Sequence, residues 1–207
     1  MQKGSKADGT LGYMTEEQYE QLVNSDFVEQ AGHRRIIGYA SNTSSHSIEI
    51  NYADSVQQEL TFCVPTHGAA PEKANEIATT DLALKALGVE PEIGAEVPLE
   101  FELRGKTYHY DMVLSGWWEA SNDSVSVATV SEQFIKENPD VVQNTYAVDH
   151  EMSGVTFSDV VLKNKANVQQ QLNDFVYSIG GNPEDMGADN FILASENQMS
   201  QGLTSSE

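Results

Sequence analysis

The chain has 207 residues, with 11 basic against 32 acidic side chains and a formal net charge of −21. This length allows one large domain or two small ones, on a norm of roughly 100–200 residues per domain. A chain this acidic repels phosphate backbones and anionic lipid surfaces, which argues against nucleic-acid binding and docking on an anionic leaflet. The single cysteine, Cys63, permits no intrachain disulfide, and a small buried side chain is its expected role.

The first third of the chain is predicted to start loosely, because residues 1–12 are polar and contain glycine. Thr15-Glu16-Glu17-Gln18 is typical of a capping box, so Thr15 is expected to begin a helix that ends near Asp26. Runs of alternating or β-prone residues then predict extended segments. These are 27–31, 34–40, 47–52 and 58–64.

The central stretch predicts a helix followed by a β-hairpin. Thr79 or Thr80 is expected to begin a short helix with one apolar face. Gly88 is expected to end it, because glycine tolerates the positive φ that is common just after a helix. Residues 97–103 and 107–114 alternate between apolar and polar side chains, on either side of a tight connection at Arg104-Gly105-Lys106. This arrangement favours two antiparallel strands.

The order of these pieces resembles the extracytoplasmic domain of ABC transporter permeases of the FtsX/MacB type. The matching pieces are Asn75-Glu76-Ile77-Ala78, Leu84-Lys85-Ala86-Leu87-Gly88, Ile93-Gly94, Gly105-Lys106 and Val113-Leu114-Ser115-Gly116. In that family the helix, the Leu-Gly pair and the following strand recur as a block in the large domain between the first two membrane helices. The resemblance therefore indicates a scaffold more directly than it indicates a ligand.

The last third of the chain alternates short elements with turns. The predicted elements are a turn at 121–124, a strand at 125–130, a short helix capped by Ser131, a strand at 143–151, a long helix at 164–179 and a last strand at 191–194. The long helix has an apolar stripe and is ended by Gly180-Gly181.

Together the elements predict an α+β fold of two lobes. Residues 1–64 and 141–207 would form one membrane-proximal lobe, with helices packed on a sheet. Residues 65–140 would form an inserted, mostly β lobe that contains the hairpin. The resemblance implies the same plan, that of the MacB periplasmic core.

Residue patterns for catalysis or cofactor binding are missing from the sequence. There is no G-x-S-x-G or H-E-x-x-H, and Pro65 separates Cys63 from His67, so a thiol–imidazole pair is not expected. Glu184-Asp185 with Asp189 could offer oxygen ligands to Ca²⁺ but lacks EF-hand spacing, and a solvated turn is the expected alternative. We therefore predict no enzyme activity, no cofactor, and no catalytic or metal-binding residue.

Trp117 and Trp118 form the candidate site. Adjacent residues on a strand point to opposite faces, so the two side chains are expected to differ in burial. Trp118 shares the parity of Met112 and Leu114 and is predicted to be the core residue. Trp117 is predicted to be more exposed, either between lobes or at a partner contact, because interfaces are enriched in Trp. A bulge at Gly116 would reverse this assignment.

The resemblance implies a non-catalytic role at the extracytoplasmic face of the bacterial cell membrane. ATP would be hydrolysed on a separate cytoplasmic subunit, and movement would reach this domain through membrane helices and act on an extracellular partner or substrate. No signal peptide or membrane span is visible in the sequence, so a soluble domain is expected. Two copies that each carry a charge of −21 repel one another, so the isolated domain is expected to be monomeric. A stand-alone solute-binding or sensor domain is the alternative, and a hydrolase with an unrecognised site is a third class.

Overall fold

The computed structural model describes residues 5–120 and 126–191. The strands are β1 Gly9–Met14, β2 Val28–Ala31, β3 Arg34–Tyr39, β4 Ile48–Ala53, β5 His67–Gly68, β6 Glu76–Thr80, β7 Glu96–Leu103, β8 Lys106–Trp118, β9 Ser126–Val130, β10 Thr156–Leu162 and β11 Asp189–Asn190. The helices are α1 Glu16–Val23, α2 Ser55–Leu60, α3 Asp81–Ala86, α4 Glu132–Glu137, α5 Tyr146–Asp149 and α6 Val168–Ser178, with a 3₁₀ turn at Pro139–Val142.

All the described strands belong to one sheet. Its order is β11-β1-β10-β3-β4-β9-β6-β8-β5, with β2 added on β10 and β7 on β8. The pairs β4–β9 and β6–β8 are parallel, and the other pairs are antiparallel. The predicted α+β class is confirmed.

Two hydrophobic clusters pack against this sheet. The terminal cluster comprises Leu11, Met14, Leu22, Val28, Val160, Leu162, Val168, Leu172, Phe175, Val176 and Met186. The central cluster draws its buried residues from β3, β4, β6 to β9, α3, α4 and the 3₁₀ turn. The terminal cluster is thus assembled from both ends of the chain, while the domain boundaries at 64/65 and 140/141 stay a prediction.

The caps and turns follow from the local sequence. Thr15 and Gln18 make both bonds of the predicted capping box, and Thr80 and Ser131 cap α3 and α4. Gly88 ends α3 with φ +72°. The predicted hairpin is confirmed as β7–β8, in register from Glu96↔Val113 to Leu103↔Lys106. Positive φ at both Arg104 and Gly105 is typical of a two-residue type I′ turn.

The loose start predicted for residues 1–12 is wrong for the part the structure describes. The strand β1 pairs with β10 on one side and β11 on the other, and Leu11 is fully buried. The sequence did not predict this strand, because glycines at positions 9 and 12 interrupt the alternation of apolar and polar residues. In the fold they admit close neighbours: a Cβ on Gly12 would lie 2.3 Å from the ring of Phe157.

Two predicted strands are helical or irregular instead. Asp54 caps α2 by accepting a hydrogen bond from the Gln57 amide at 2.8 Å. The first three residues of the strand predicted at 58–64 therefore belong to a helix. Residues 143–151 contain α5, preceded by an Asn144 side chain that accepts from the Tyr146 amide and followed by His150 at φ 58°. In both segments the alternation of apolar residues predicted a strand. Hydrogen bonds between local side chains and the backbone favour the helical conformation instead.

The remaining extended and helical predictions for 27–31, 34–40, 47–52, 125–130 and 164–179 correspond to β2, β3, β4, β9 and α6. The predicted turn at 121–124, and residues 192–194 of the predicted last strand, lie outside the described residues. Among the described residues no helix is long and apolar enough to span a bilayer.

Candidate functional site

The tryptophan pair lies at the end of β8, just after a bulge. Ile77 pairs with Leu114 and Ala78 pairs with Gly116, so Ser115 is an extra residue in β8. Trp118 is 6% exposed, which confirms its predicted burial, and Trp117 is half-buried. The predicted face of each ring is nevertheless wrong. Trp118 was expected to share the face of Met112 and Leu114, but it is Trp117 that packs against the central cluster. The inserted residue reverses the alternation beyond Leu114.

His67 covers the outer side of Trp117. The two rings are stacked, with centroids 3.8 Å apart and planes 6° apart. His67 lies opposite Trp117 in the β5–β8 pair, at the end of the sheet order. Gly116 allows the chain to pass closely here, since a Cβ on it would be 2.4 Å from the Ala69 carbonyl oxygen. Whether Trp117 contacts a partner stays a prediction.

The Cys63–His67 spacing corresponds to a structural arrangement. The Cys63 thiol donates to the Thr61 carbonyl at 3.4 Å, and burial raises the pKa of this thiol, which keeps it protonated. His67 is engaged with Trp117. Glu184, Asp185 and Asp189 are exposed, and within the described residues no group of three or more His, Cys, Asp or Glu side chains could hold a metal ion.

A polar junction, which the sequence did not indicate, lies where the two clusters meet. We define it by Glu16, His33, Arg35 and Thr156. His33 Nε2 lies 3.1 Å from each carboxylate oxygen of Glu16, and Thr156 Oγ1 donates to Oε1 at 2.9 Å. Arg35 Nε is 3.1 Å from the same Oε1, but its N–H is not aimed at the oxygen, so this contact is an ion pair and not a hydrogen bond.

Two tyrosines enclose the imidazole of this junction. Tyr19 from α1 stacks on His33 at 4.1 Å and 11°, and Tyr52 from β4 meets it edge-on at 5.6 Å. Burial, with the nearby Asp54 carboxylate, raises the pKa of Tyr52 to about 12 and raises that of Tyr19 as well. Burial raises the pKa of Glu16, but the hydrogen bond and charge of His33, the charge of Arg35 and the bond from Thr156 outweigh it and lower that pKa.

The junction connects the terminal cluster to the central one. Glu16 belongs to α1, which contributes Leu22 to the terminal cluster. Arg35 reaches the other way, because its Nη2 donates to the Val142 carbonyl at 2.8 Å in the 3₁₀ turn, which belongs to the central cluster. No sequence motif could have found this set, since its members come from α1, β3, β10 and the loop just before β3.

Two solved structures of low sequence identity have a similar fold. The periplasmic region of MacB from Actinobacillus actinomycetemcomitans aligns with a TM-score of 0.55 and 9% identity, over 99% of this chain and 96% of that one. The chain has the fold of the MacB periplasmic region. The extracellular domain of the noncanonic ABC-type transporter YknZ from Gram-positive bacteria aligns at 0.53 and 14%, over 87% and 96%. No family model and no curated protein matches the sequence.

The MacB-type fold confirms the resemblance expected from the central block. The segments that carried the resemblance form β6, α3, the loop before β7 and the two hairpin strands. Three of these segments contribute buried residues to the central cluster: Ile77 from β6, Leu84 from α3 and Leu114 from β8. The residues that carried the resemblance therefore include packing positions of the central cluster.

Proposed function

We propose that this chain is the non-catalytic extracytoplasmic domain of an FtsX/MacB-type ABC transporter permease, and that it passes ATP-driven movement to a bound partner or substrate. The observation that carries the proposal is the MacB-type fold, which extends over 99% of the chain. The domain lies on the extracytoplasmic face of the bacterial membrane. Its ATP-binding subunit is cytoplasmic and is reached through membrane helices of the same permease.

Two features of the packing support this mechanical role. Each hydrophobic cluster has a buried core, whereas the contact between them includes a partly exposed ionic junction. Partly exposed ion pairs contribute little net stability, so they can break and re-form at low cost. A change of angle between the lobes would then require the junction to rearrange and the shared sheet to bend between β10 and β3.

The test measures distances in the whole permease with its ATP-binding subunit. Cys63 is the only cysteine of this 207-residue chain, so once it is changed to Ser and any cysteine elsewhere in the assembly is replaced, spin labels can be placed at Glu20→Cys in α1 and Lys136→Cys in α4, across the junction. A pair at Glu20→Cys and Tyr177→Cys, both beside the terminal cluster, is the control. We expect ATP trapping to shift the first distance and leave the second unchanged.

Two results would contradict the proposal. The first is identical distance distributions for the cross-junction pair in every nucleotide state. The second is a gene without apolar segments of about 20 residues flanking this region, since such segments are what a helix needs to span a bilayer. That second result would favour the stand-alone solute-binding or sensor domain.

A further inference from the structure

The histidine of the polar junction, His33, links the two clusters through opposite ends of the residue. Its backbone is fixed on the central side, because the His33 amide donates to Asp54 Oδ1 at 3.1 Å and the His33 carbonyl accepts from the Asp54 amide at 2.9 Å. Asp54 directly follows β4, which contributes Ile48 and Ile50 to the central cluster. The imidazole instead contacts α1, which contributes Leu22 to the terminal cluster.

Both contacts of the imidazole with α1 depend on its charge. The Glu16 carboxylate only accepts hydrogen bonds, so the neutral ring carries its proton on Nε2, which lies 3.1 Å from each carboxylate oxygen. A second proton, on Nδ1, makes this a charge-assisted hydrogen bond, which is roughly twice as strong as a neutral one. It also places a cation on the face of the Tyr19 ring, which stacks on the imidazole at 4.1 Å.

The charged groups of the described residues that face the ring are mostly carboxylates. Glu16 comes from α1 and Asp54 from the turn before α2, and the Glu132 carboxylate of α4 acts on Tyr52, which meets the imidazole edge-on. The cation is Arg35 of β3, and it is itself paired with Glu16. A protonated ring is therefore attracted to its surroundings on both sides of the junction.

Of the four junction residues, His33 is the one whose side chain ordinarily changes charge between pH 5 and 8. Burial raises the pKa of Glu16, but His33 and Arg35 outweigh it and bring that pKa below 4.5, so the carboxylate stays ionised in this range. Burial raises the pKa of Tyr52 to about 12 and raises that of Tyr19 as well, so both phenols stay neutral. The charge of the junction is thus set by one imidazole.

We propose that His33 is a pH-sensitive latch: protonation of its imidazole strengthens its contact with α1 and holds the terminal cluster against the central one, and loss of the proton loosens that contact. The proposal rests on the proposed function, because the movement that the latch regulates is the movement between the clusters. On the extracytoplasmic face, His33 responds to the pH outside the cytoplasm. Acid surroundings then restrict the movement, and neutral or alkaline surroundings permit it.

A double-mutant cycle in the 207-residue chain measures the strength of the latch. The single changes are Glu16→Gln and His33→Gln, whose amide keeps a neutral donor, and urea unfolding at about pH 5.5 and about pH 8 gives their coupling. We expect the coupling, as a ratio of unfolding equilibrium constants, to be about threefold larger at the lower pH, as suits a partly exposed ion pair. The control cycle is Lys6→Gln with Glu59→Gln, an exposed pair at 3.4 Å whose coupling should be equal at both pH values.

Spin labels show whether the latch changes the arrangement of the clusters. We expect the distance distribution of the cross-junction label pair to be broader at the higher pH, while the control pair beside the terminal cluster stays unchanged. His33→Gln should give the broad distribution at both pH values. His109→Gln is the matched control, because His109 also lies between carboxylates, those of Glu100 and Asp111, but on the exposed hairpin, and it should leave the response intact.

Several outcomes would overturn the latch: equal coupling of Glu16 and His33 at both pH values, a cross-junction distance that does not respond to pH, or a response that survives His33→Gln. A response lost equally in His109→Gln would overturn it too. The nucleotide test in the whole permease is separate from this one. Movement on ATP trapping that is the same at every pH would remove only the latch, whereas a pH response of the isolated chain without movement on trapping would leave the latch standing and remove the transport role.

Discussion

Replacing Glu16 by Gln tests whether the polar junction stabilises the fold through its charge. The carboxylate has His33 Nε2 and Arg35 Nε at 3.1 Å and Thr156 Oγ1 at 2.9 Å, with 36% of its side chain exposed. Net hydrogen bonds contribute about 0.5–1.5 kcal/mol each, and solvent screens a partly exposed ion pair. The amide keeps some of these contacts, so we expect Glu16→Gln to lower the free energy of unfolding by about 1–2 kcal/mol at pH 7.

The control is Glu17→Gln, one residue along the same first turn of α1. Both changes remove a carboxylate from a helix N-terminus, and that effect, about 0.3–1 kcal/mol, is common to the two variants. Glu17 is exposed and lacks the junction contacts of its neighbour. Urea unfolding followed by circular dichroism gives the difference between the variants, which isolates the junction.

The pH dependence gives the sharper check. The folded-state pKa of Glu16 lies below its ordinary value of 4.5, although burial opposes the shift, because His33 and Arg35 favour the carboxylate. The stabilisation is therefore complete above pH 4.5 and is lost as the pH falls through the lower folded-state value. The gap between wild type and Glu16→Gln should close in that window. A gap that stays constant from pH 7 to acid, or equal losses for Glu16→Gln and Glu17→Gln, would refute this reasoning.

Three further outcomes are expected. Trp118→Ala should cost about 3–5 kcal/mol in urea melts, as large-to-small core changes do, and Trp117→Ala should cost less because that side chain is only half-buried; equal losses would contradict this. The isolated chain should not hydrolyse ATP, peptides or esters in steady-state assays, and turnover abolished by one Ser, Cys or His substitution would overturn the non-enzyme prediction. Light scattering should find a monomer at physiological salt, with any self-association strengthening as salt screens the −21 charge; a stable dimer at low salt would contradict it.

The sequence by itself determined the elements whose signals are local. The Thr15 capping box, the Thr80 cap and the β7–β8 hairpin all depend on residues within a few positions of one another, and the structure confirms them. Local pattern failed where glycine broke the alternation, as in β1, or where a side-chain cap overrode it, as in α2. β6 and β10 also escaped prediction, and both are inner strands whose partners lie far away along the chain.

Only the tertiary structure decided the candidate sites. The bulge at Ser115 arises from pairing between β8 and β6, and it turns Trp117 towards the central cluster against the parity of the sequence. The junction brings Glu16 and Thr156 together across 140 positions of the chain. Contacts of this kind depend on strand register and on which elements pack together, and these follow from burying two hydrophobic clusters at once and not from any short stretch of residues.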